Sequence, residues 1–226
     1  MDCLEDLFRL IVECYDSQAA PIKTLGNNCV DAILEHIDPE LRCWLAKALV
    51  FETDTHAAVD YLTRLSGDDS TDVRLEALDS LCVFACFASF WALCSALKDT
   101  DILIRSVAAY GVASTGVVVS PVQAVEILSE AVKKESSERV LVNMYEGLYI
   151  LGDRSAITNM FTLINSEDYH VQAALLRALV EILDTSNVGD ISAFAFSLNE
   201  LDFPCAVVSA LQELNSALDQ ISSYST

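Results

Sequence analysis

The chain has 226 residues, of which 34 are Asp or Glu and 13 are Lys or Arg, so its formal net charge at pH 7 is -21. Its hydrophobic content of 53% is too high for a disordered acidic tail, and 7 Gly with 4 Pro disfavour a turn-rich β-sandwich or barrel. Nucleic acids and anionic membrane surfaces bind clusters of Lys and Arg, which this composition disfavours. We therefore expect no nucleic acid and no membrane among the partners.

The first ten residues indicate the compartment. They include Asp2, Glu5 and Asp6, whereas a signal peptide begins with basic residues. None of the eight cysteines belongs to a Cys-x-x-Cys pair, and most lie in apolar runs, where a thiol behaves as a small hydrophobic group. We expect a cytoplasmic protein with reduced cysteines.

The uncharged segment Leu81–Leu97 resembles a short membrane span. Crossing the hydrocarbon layer takes about 20 apolar residues, and this segment is shorter. Ala88 and Ser89 in its middle suit a turn. The segment is therefore predicted to form two buried core helices.

One hydrophobic pattern recurs along the chain. From Val73, apolar residues follow four, five and eight positions later, at Ala77, Leu78 and Leu81, which places all four on one face of a helix. The same pattern starts at six anchor residues: Leu41, Val73, Ile104, Val140, Val171 and Ala206. The anchors are 32, 31, 36, 31 and 35 residues apart, which indicates an internal repeat.

A second, shorter amphipathic segment lies between successive anchored helices, so each repeat is predicted to be a helix pair. One pair cannot bury both of its apolar faces, but stacked pairs can. The predicted fold is all-α, an α-solenoid of about five to six pairs in a single domain, 1–226. Residues 1–37 are predicted to form N-terminal capping helices, and residues 222–226 a frayed tail.

Three segments carry a family resemblance. They read Asp72-x-Arg74-x-x-Ala77-Leu78-x-x-Leu81, Asp101-x-x-Ile104-Arg105-x-x-Ala108-Ala109 and Asp168-x-x-Val171-x-x-x-Leu175. They resemble the second helix of HEAT or HEAT-like repeats, close to the armadillo superfamily. The resemblance implies that the Arg after the anchor (Arg42, Arg74, Arg105) joins an Asp ladder between repeats. Leu141, Gln172 and Val207 replace it later, so the ladder should be incomplete in the C-terminal half.

The sequence carries no recognisable catalytic or metal-binding motif. The three histidines, His36, His56 and His170, lie on different predicted repeats, and no second cysteine pair completes a site with Cys82 and Cys86. A Gly-x-Ser-x-Gly elbow, a phosphate-binding Gly-rich loop and a dinucleotide fingerprint are all missing from the sequence. We expect a non-enzymatic protein without metal or cofactor.

A binding surface is the remaining candidate site. If the repeated apolar positions face the core, the residues three and six positions after each anchor face the opposite side. The candidate partner-binding residues on that side are Trp44, Glu76, Asp79, Tyr110, Asn143 and Glu146. Trp44 and Tyr110 are the predicted anchors, because aromatic residues dominate binding energy at interfaces. Alternatively, Trp44 packs against a neighbouring helix.

The excess of acidic residues indicates a basic partner, since helix capping does not require the loss of Lys and Arg. Some bacterial immunity proteins resemble HEAT or armadillo-type solenoids. That resemblance implies an acidic inhibitor that covers the active-site cleft of a basic, nuclease-type toxin. The alternative is a HEAT-like scaffold, or a chaperone- or lyase-type adaptor in a larger assembly.

Overall fold

The computed structural model describes residues 4–198 and 201–223. These residues form α-helices joined by loops and short 3₁₀ turns, with no β-strand among them, so the all-α prediction is confirmed. The chain divides into two compact units, Met1–Pro121 (unit 1) and Val122–Thr226 (unit 2). The last helix runs to Ser223, and residues 224–226 of the predicted frayed tail lie outside the described residues.

Unit 1 contains eight described helices in two rows. They are α1 (Leu4–Asp16), α2 (Pro21–Leu25), α3 (Asn27–Leu34), α4 (Pro39–Ala48), α5 (Thr55–Leu65), α6 (Thr71–Leu81), α7 (Phe87–Ala96) and α8 (Ile102–Val119), with a 3₁₀ turn at Leu49–Phe51. Helices α1, α4, α6 and α8 lie side by side in that order. Helices α3, α5 and α7 pack behind α4, α6 and α8, respectively.

The repeated apolar positions build the core of unit 1. The anchors Leu41, Val73 and Ile104 are fully buried, and so are the residues four, five and eight positions after each of them. The spacing therefore identified the buried face of α4, α6 and α8 from sequence. A hydrogen bond joins two helices of the second row: the Tyr61 hydroxyl on α5 donates to the Asp31 carboxylate on α3 at 3.0 Å.

Unit 2 contains the remaining helices. They are α9 (Pro121–Val132), α10 (Glu138–Ile150), α11 (Ala156–Thr162), α12 (Tyr169–Glu181), α13 (Val188–Leu198) and α14 (Cys205–Ser223), with a 3₁₀ turn at Leu163–Asn165. Helix α12 lies between α10 and α14, α11 packs on α10, and α13 packs on α14. The anchors Val140 and Val171 are buried as predicted.

The sixth anchor was placed one residue too early. Ala206 is exposed, whereas Val207 is fully buried together with Ala210 and Leu214. Spacings of three, four and seven residues from Val207 define a helix face as well as the predicted spacings from Ala206 do. The larger apolar side chain takes the core position because it removes more surface from water.

Two of the predicted arginines form ladder contacts with aspartates in unit 1. Arg42 binds both Asp68 carboxylate oxygens at 2.7 Å, and Arg74 binds Asp99 at 2.9 and 3.1 Å. Each guanidinium also donates to the backbone carbonyl six residues before it. In unit 2, Gln172 keeps only the backbone part of this pattern, donating to Ser166 O at 2.9 Å. A neutral amide cannot form an ion pair, so the predicted change in the ladder is confirmed at this position.

The turn within Leu81–Leu97 differs from the prediction. It spans residues 82–86, and α7 starts at Phe87, so Ala88 and Ser89 lie in its first turn. The Ser89 hydroxyl donates to Cys86 O at 2.9 Å, which holds the start of the helix. Among the described helices only α8, with 18 residues, is long and apolar enough to cross a membrane, and 44% of it is buried. Core helices of soluble proteins share that property.

The side chain of Asn187 connects helix α10 with the end of helix α12 in unit 2. Its amide donates to the Tyr149 hydroxyl at 2.8 Å and to Ile182 O at 2.7 Å, and its oxygen accepts from Asp184 N at 2.8 Å. Asn187→Leu leaves these buried groups unpaired, so we expect the free energy of unfolding to fall by about 2–3 kcal/mol. Chemical denaturation followed by circular dichroism measures it. Asn159→Leu, at an exposed position of α11, is the control, and an equal loss there would contradict this role of Asn187.

Candidate protein-binding site

Helix α6 presents a row of carboxylates on the outer side of unit 1. Asp72, Glu76 and Asp79 are spaced four and three residues apart, which places them on one face of the helix. Asp72 and Asp79 are exposed, and Glu76 is partly exposed. The opposite face of α6 carries the buried anchor pattern. The predicted outward direction of Glu76 and Asp79 is confirmed, and we call these three residues the acidic stripe.

On the α4 side of the stripe, Trp44 is engaged within the unit. Its ring packs edge-on against Tyr15 at 5.5 Å and Phe8 at 6.2 Å, both on α1. The Lys47 ammonium lies 5.1 Å from the centre of the Trp44 ring and 3.2 Å from Glu76. The alternative considered for Trp44, packing against a neighbouring helix, is therefore the observed one.

On the α8 side of the stripe lies a row of exposed apolar residues. Tyr110 is 53% exposed, as predicted, and Leu103 and Val117 are 58% and 47% exposed. Successive members of this row are seven residues apart, so they share one helix face. The sequence reasoning named Tyr110 and missed the other two. Their spacing of seven residues from Tyr110 would have identified them, because the helix carries a single charged residue, Arg105.

The two candidates in unit 2 differ from those in unit 1. Asn143 on α10 is partly exposed, but Glu146 is only 8% exposed, so the prediction that it lies on the surface is wrong. Its neighbours Met144, Gly147 and Tyr149 are buried as well, whereas Ile150 near the end of the helix is 44% exposed. Burial, followed by the charge of Glu181, raises the pKa of Glu146 to about 7.

The described residues show no arrangement typical of metal binding or thiol chemistry. Within them, no group of three or more His, Cys, Asp or Glu side chains could hold a metal ion. Burial raises the pKa of Cys82 and of Cys94 to about 12, which keeps both thiols protonated at neutral pH. Beneath the acidic stripe, burial and then the charges of Glu76 and Asp72 raise the pKa of Cys43 to about 11. Cys94 is a core residue, and Cys43 and Cys82 are partly buried.

The site is therefore a surface that combines the acidic stripe on α6 with the exposed apolar row Leu103, Tyr110 and Val117 on α8, a composition suited to binding another protein. No protein-family model matches the chain, and no curated protein matches it in sequence.

Proposed function

We propose that this protein is a non-enzymatic binding module for a basic protein, and specifically an inhibitor that covers the cationic active-site cleft of a nuclease-type toxin. We place this activity in the cytoplasm, on a HEAT-like α-solenoid. The observation that carries the proposal is the acidic stripe Asp72, Glu76 and Asp79, in a chain of net charge -21.

Charge and exposed apolar area act together at this surface. Carboxylates attract a cationic partner and speed its association, while apolar and aromatic contacts slow its dissociation. Lys47 neutralises only Glu76 of the stripe. A partner with Lys and Arg beside an apolar patch matches the acidic stripe and its neighbour on α8.

A pull-down of the tagged protein from its own cells tests the proposal, run at low and at high salt with mass spectrometry of the bound proteins. We expect one basic protein, held at low salt and released at high salt, whose nuclease activity appears only after release. Capture of neutral partners whose binding does not depend on salt would contradict the inhibitor proposal.

Charge reversal locates the binding surface. Glu76→Lys with Asp79→Lys is expected to weaken binding of the captured protein at least about 10-fold at low salt, because four units of charge change at the interface. The matched control is Glu35→Lys with Asp60→Lys in the second row. There, Glu35 pairs with Arg64 as Glu76 pairs with Lys47, and Asp60 is exposed on its helix as Asp79 is. Equal weakening by both pairs would show that net charge, not the stripe, determines binding.

A scaffold or adaptor is the second candidate function, because α7 exposes an uncharged surface. Phe87 and Trp91, four residues apart, are 62% and 48% exposed, and Val83 before the helix is 62% exposed. Exposed apolar patches of this kind mark sites of protein association. In this case binding would depend little on salt, and the variant Phe87→Ser with Trp91→Ser would weaken it.

A further inference from the structure

A cleft lies between the C-terminal ends of helices α5 and α7, in the second row of unit 1. Its volume is about 360 Å³, and most of its walls are small residues from both helices and the turn after α5: Thr63, Ser66, Gly67, Ala92, Ser95 and Ala96. A cavity of about 150 Å³ accepts a benzene ring, so this cleft has room for an aromatic side chain.

The walls of the cleft suit an occupant that is mostly apolar. The Ser66 hydroxyl donates to Thr63 O at 2.8 Å, and the Ser95 hydroxyl donates to Trp91 O at 2.9 Å, so both hydroxyls are bound to the backbone of their own segment. The Thr63 hydroxyl forms no hydrogen bond within the residues that the structure describes. The cleft therefore offers one free polar group among small side chains.

Trp91 has the matching chemistry and lies beside the cleft. It is 48% exposed, and it comes one and four residues before the lining residues Ala92 and Ser95. In the part of the chain that the structure describes, its indole N–H has no hydrogen-bond partner, although a buried indole N–H usually has one. Side chains of a helix lean toward its N-terminus, so Trp91 leans away from the cleft of its own chain.

The charges around the cleft favour an acidic partner over a basic one. Lys98 lines the cleft and forms no ion pair among the described residues, whereas the carboxylate at the cleft, Asp99, is bound to Arg74 at 2.9 and 3.1 Å. The cleft thus exposes a cation, which repels the basic partner proposed above. A second copy of this chain, with a net charge of -21, provides carboxylates near any such cation.

Helix α7 also removes the main obstacle to contact between two copies. Two chains of this charge repel each other wherever their acidic surfaces meet. No charged residue occurs between Leu81 and Leu97, a range that includes the whole of α7. Two copies can therefore approach through α7 without placing like charges at the centre of the contact.

We propose that two copies of this chain associate through α7, with Trp91 of each copy seated in the cleft of the other. Such reciprocal contacts are the rule in twofold-symmetric dimers. Each indole N–H donates to the Thr63 hydroxyl of the other copy, and Phe87, 62% exposed and one turn before Trp91, extends the apolar contact. The interface uses the second row of unit 1 and none of the residues of the acidic stripe, so it goes beyond the proposed function.

Sedimentation velocity over a series of protein concentrations tests the dimer. We expect the 24.7 kDa chain to double in mass, more readily at about 0.5 M than at about 0.05 M NaCl, because salt screens the repulsion between two acidic copies. Trp91→Ala should raise the dissociation constant of the dimer at least about 30-fold, as truncation of a central interface aromatic does. The control Phe196→Ala removes a 79% exposed aromatic from α13 and should leave the constant unchanged.

A mixing experiment tests whether the contact is reciprocal. Ser95→Glu puts a carboxylate into the cleft and keeps Trp91, whereas Trp91→Ala keeps the cleft and loses the ring. Each variant alone should be monomeric, with an unchanged circular dichroism spectrum. Their equimolar mixture should form a heterodimer, because the ring of one variant fits the cleft of the other.

Persistence of the dimer in both single variants would overturn the proposal, and so would a mixture no more associated than its components. A wild-type chain that stays monomeric at about 100 µM protein in high salt would overturn it as well. The basic partner should be released by salt, whereas the dimer should be strengthened by it. Failure of the dimer and failure of the proposed function are therefore observed separately.

Discussion

Arg42→Met is expected to lower the free energy of unfolding by about 3–5 kcal/mol, because it leaves a buried carboxylate without its cation. The side chains of Arg42 and Asp68 are 9% and 10% exposed, and the guanidinium also binds Asp69 at 2.9 Å. Chemical denaturation at pH 7 measures the loss. Burial raises the pKa of Asp68, but the hydrogen bonds from Arg42 and from Ser70 N outweigh it, and the net pKa is lowered.

The lowered pKa of Asp68 sets the pH dependence of this effect. A carboxylate with a lowered pKa stabilises the fold above its unfolded value of 3.8, and that stabilisation is lost as the pH falls through the folded value. The difference between wild type and Arg42→Met should therefore shrink in acid. Arg64→Met is the control, because Arg64 forms exposed ion pairs with Glu35 and Asp31, which contribute up to about 1 kcal/mol. A loss below 1 kcal/mol for Arg42→Met would contradict the assigned role.

The predictions that succeeded from sequence rest on short-range geometry. Helical periodicity alone places Leu41, Val73 and Ile104 in the core, and it sets which residues of α6 face outward. Helix capping, although it was not among the predictions above, is equally local: the side chains of Asp38, Asp101 and Asp168 accept hydrogen bonds from backbone N–H groups two residues ahead, at 3.0, 2.8 and 2.9 Å. Such contacts depend on nearby residues only, so the sequence is sufficient to predict them.

The outcomes that the sequence left open or mispredicted depend on distant parts of the chain. Trp44 is partly covered because Phe8 and Tyr15 of α1 pack on it, and the spacing of apolar residues near Trp44 does not predict that contact. Glu146 occupies a position that is exposed in α6 and α8, but the packing of unit 2 leaves it only 8% exposed on α10. Periodicity indicates one face of a helix. It does not show how many sides a tertiary structure will cover.

Glu146→Gln is expected to stabilise the protein by about 3 kcal/mol at pH 8, because glutamine resembles the protonated acid and has no charge to bury. Burial, followed by the charge of Glu181, raises the pKa of Glu146 from 4.5 in the unfolded chain to about 7 in the fold. A group with a raised pKa stabilises the fold fully below its unfolded value and loses that contribution as the pH rises through the folded value. Wild type and variant should therefore be equally stable at pH 4 and diverge between pH 4.5 and 7. Denaturation at a series of pH values measures this.

The control is Glu126→Gln, at an exposed position on α9, which should leave the free energy of unfolding nearly unchanged at every pH. If the Glu146→Gln variant were no more stable than wild type at pH 8, the carboxylate would not be unfavourable in the fold. The same substitution removes only the ionisable group, so the pH dependence of the stability difference identifies the carboxylate as its source. A side chain that destabilises its own fold at neutral pH is not retained for stability, because a neutral side chain of the same shape would be more favourable.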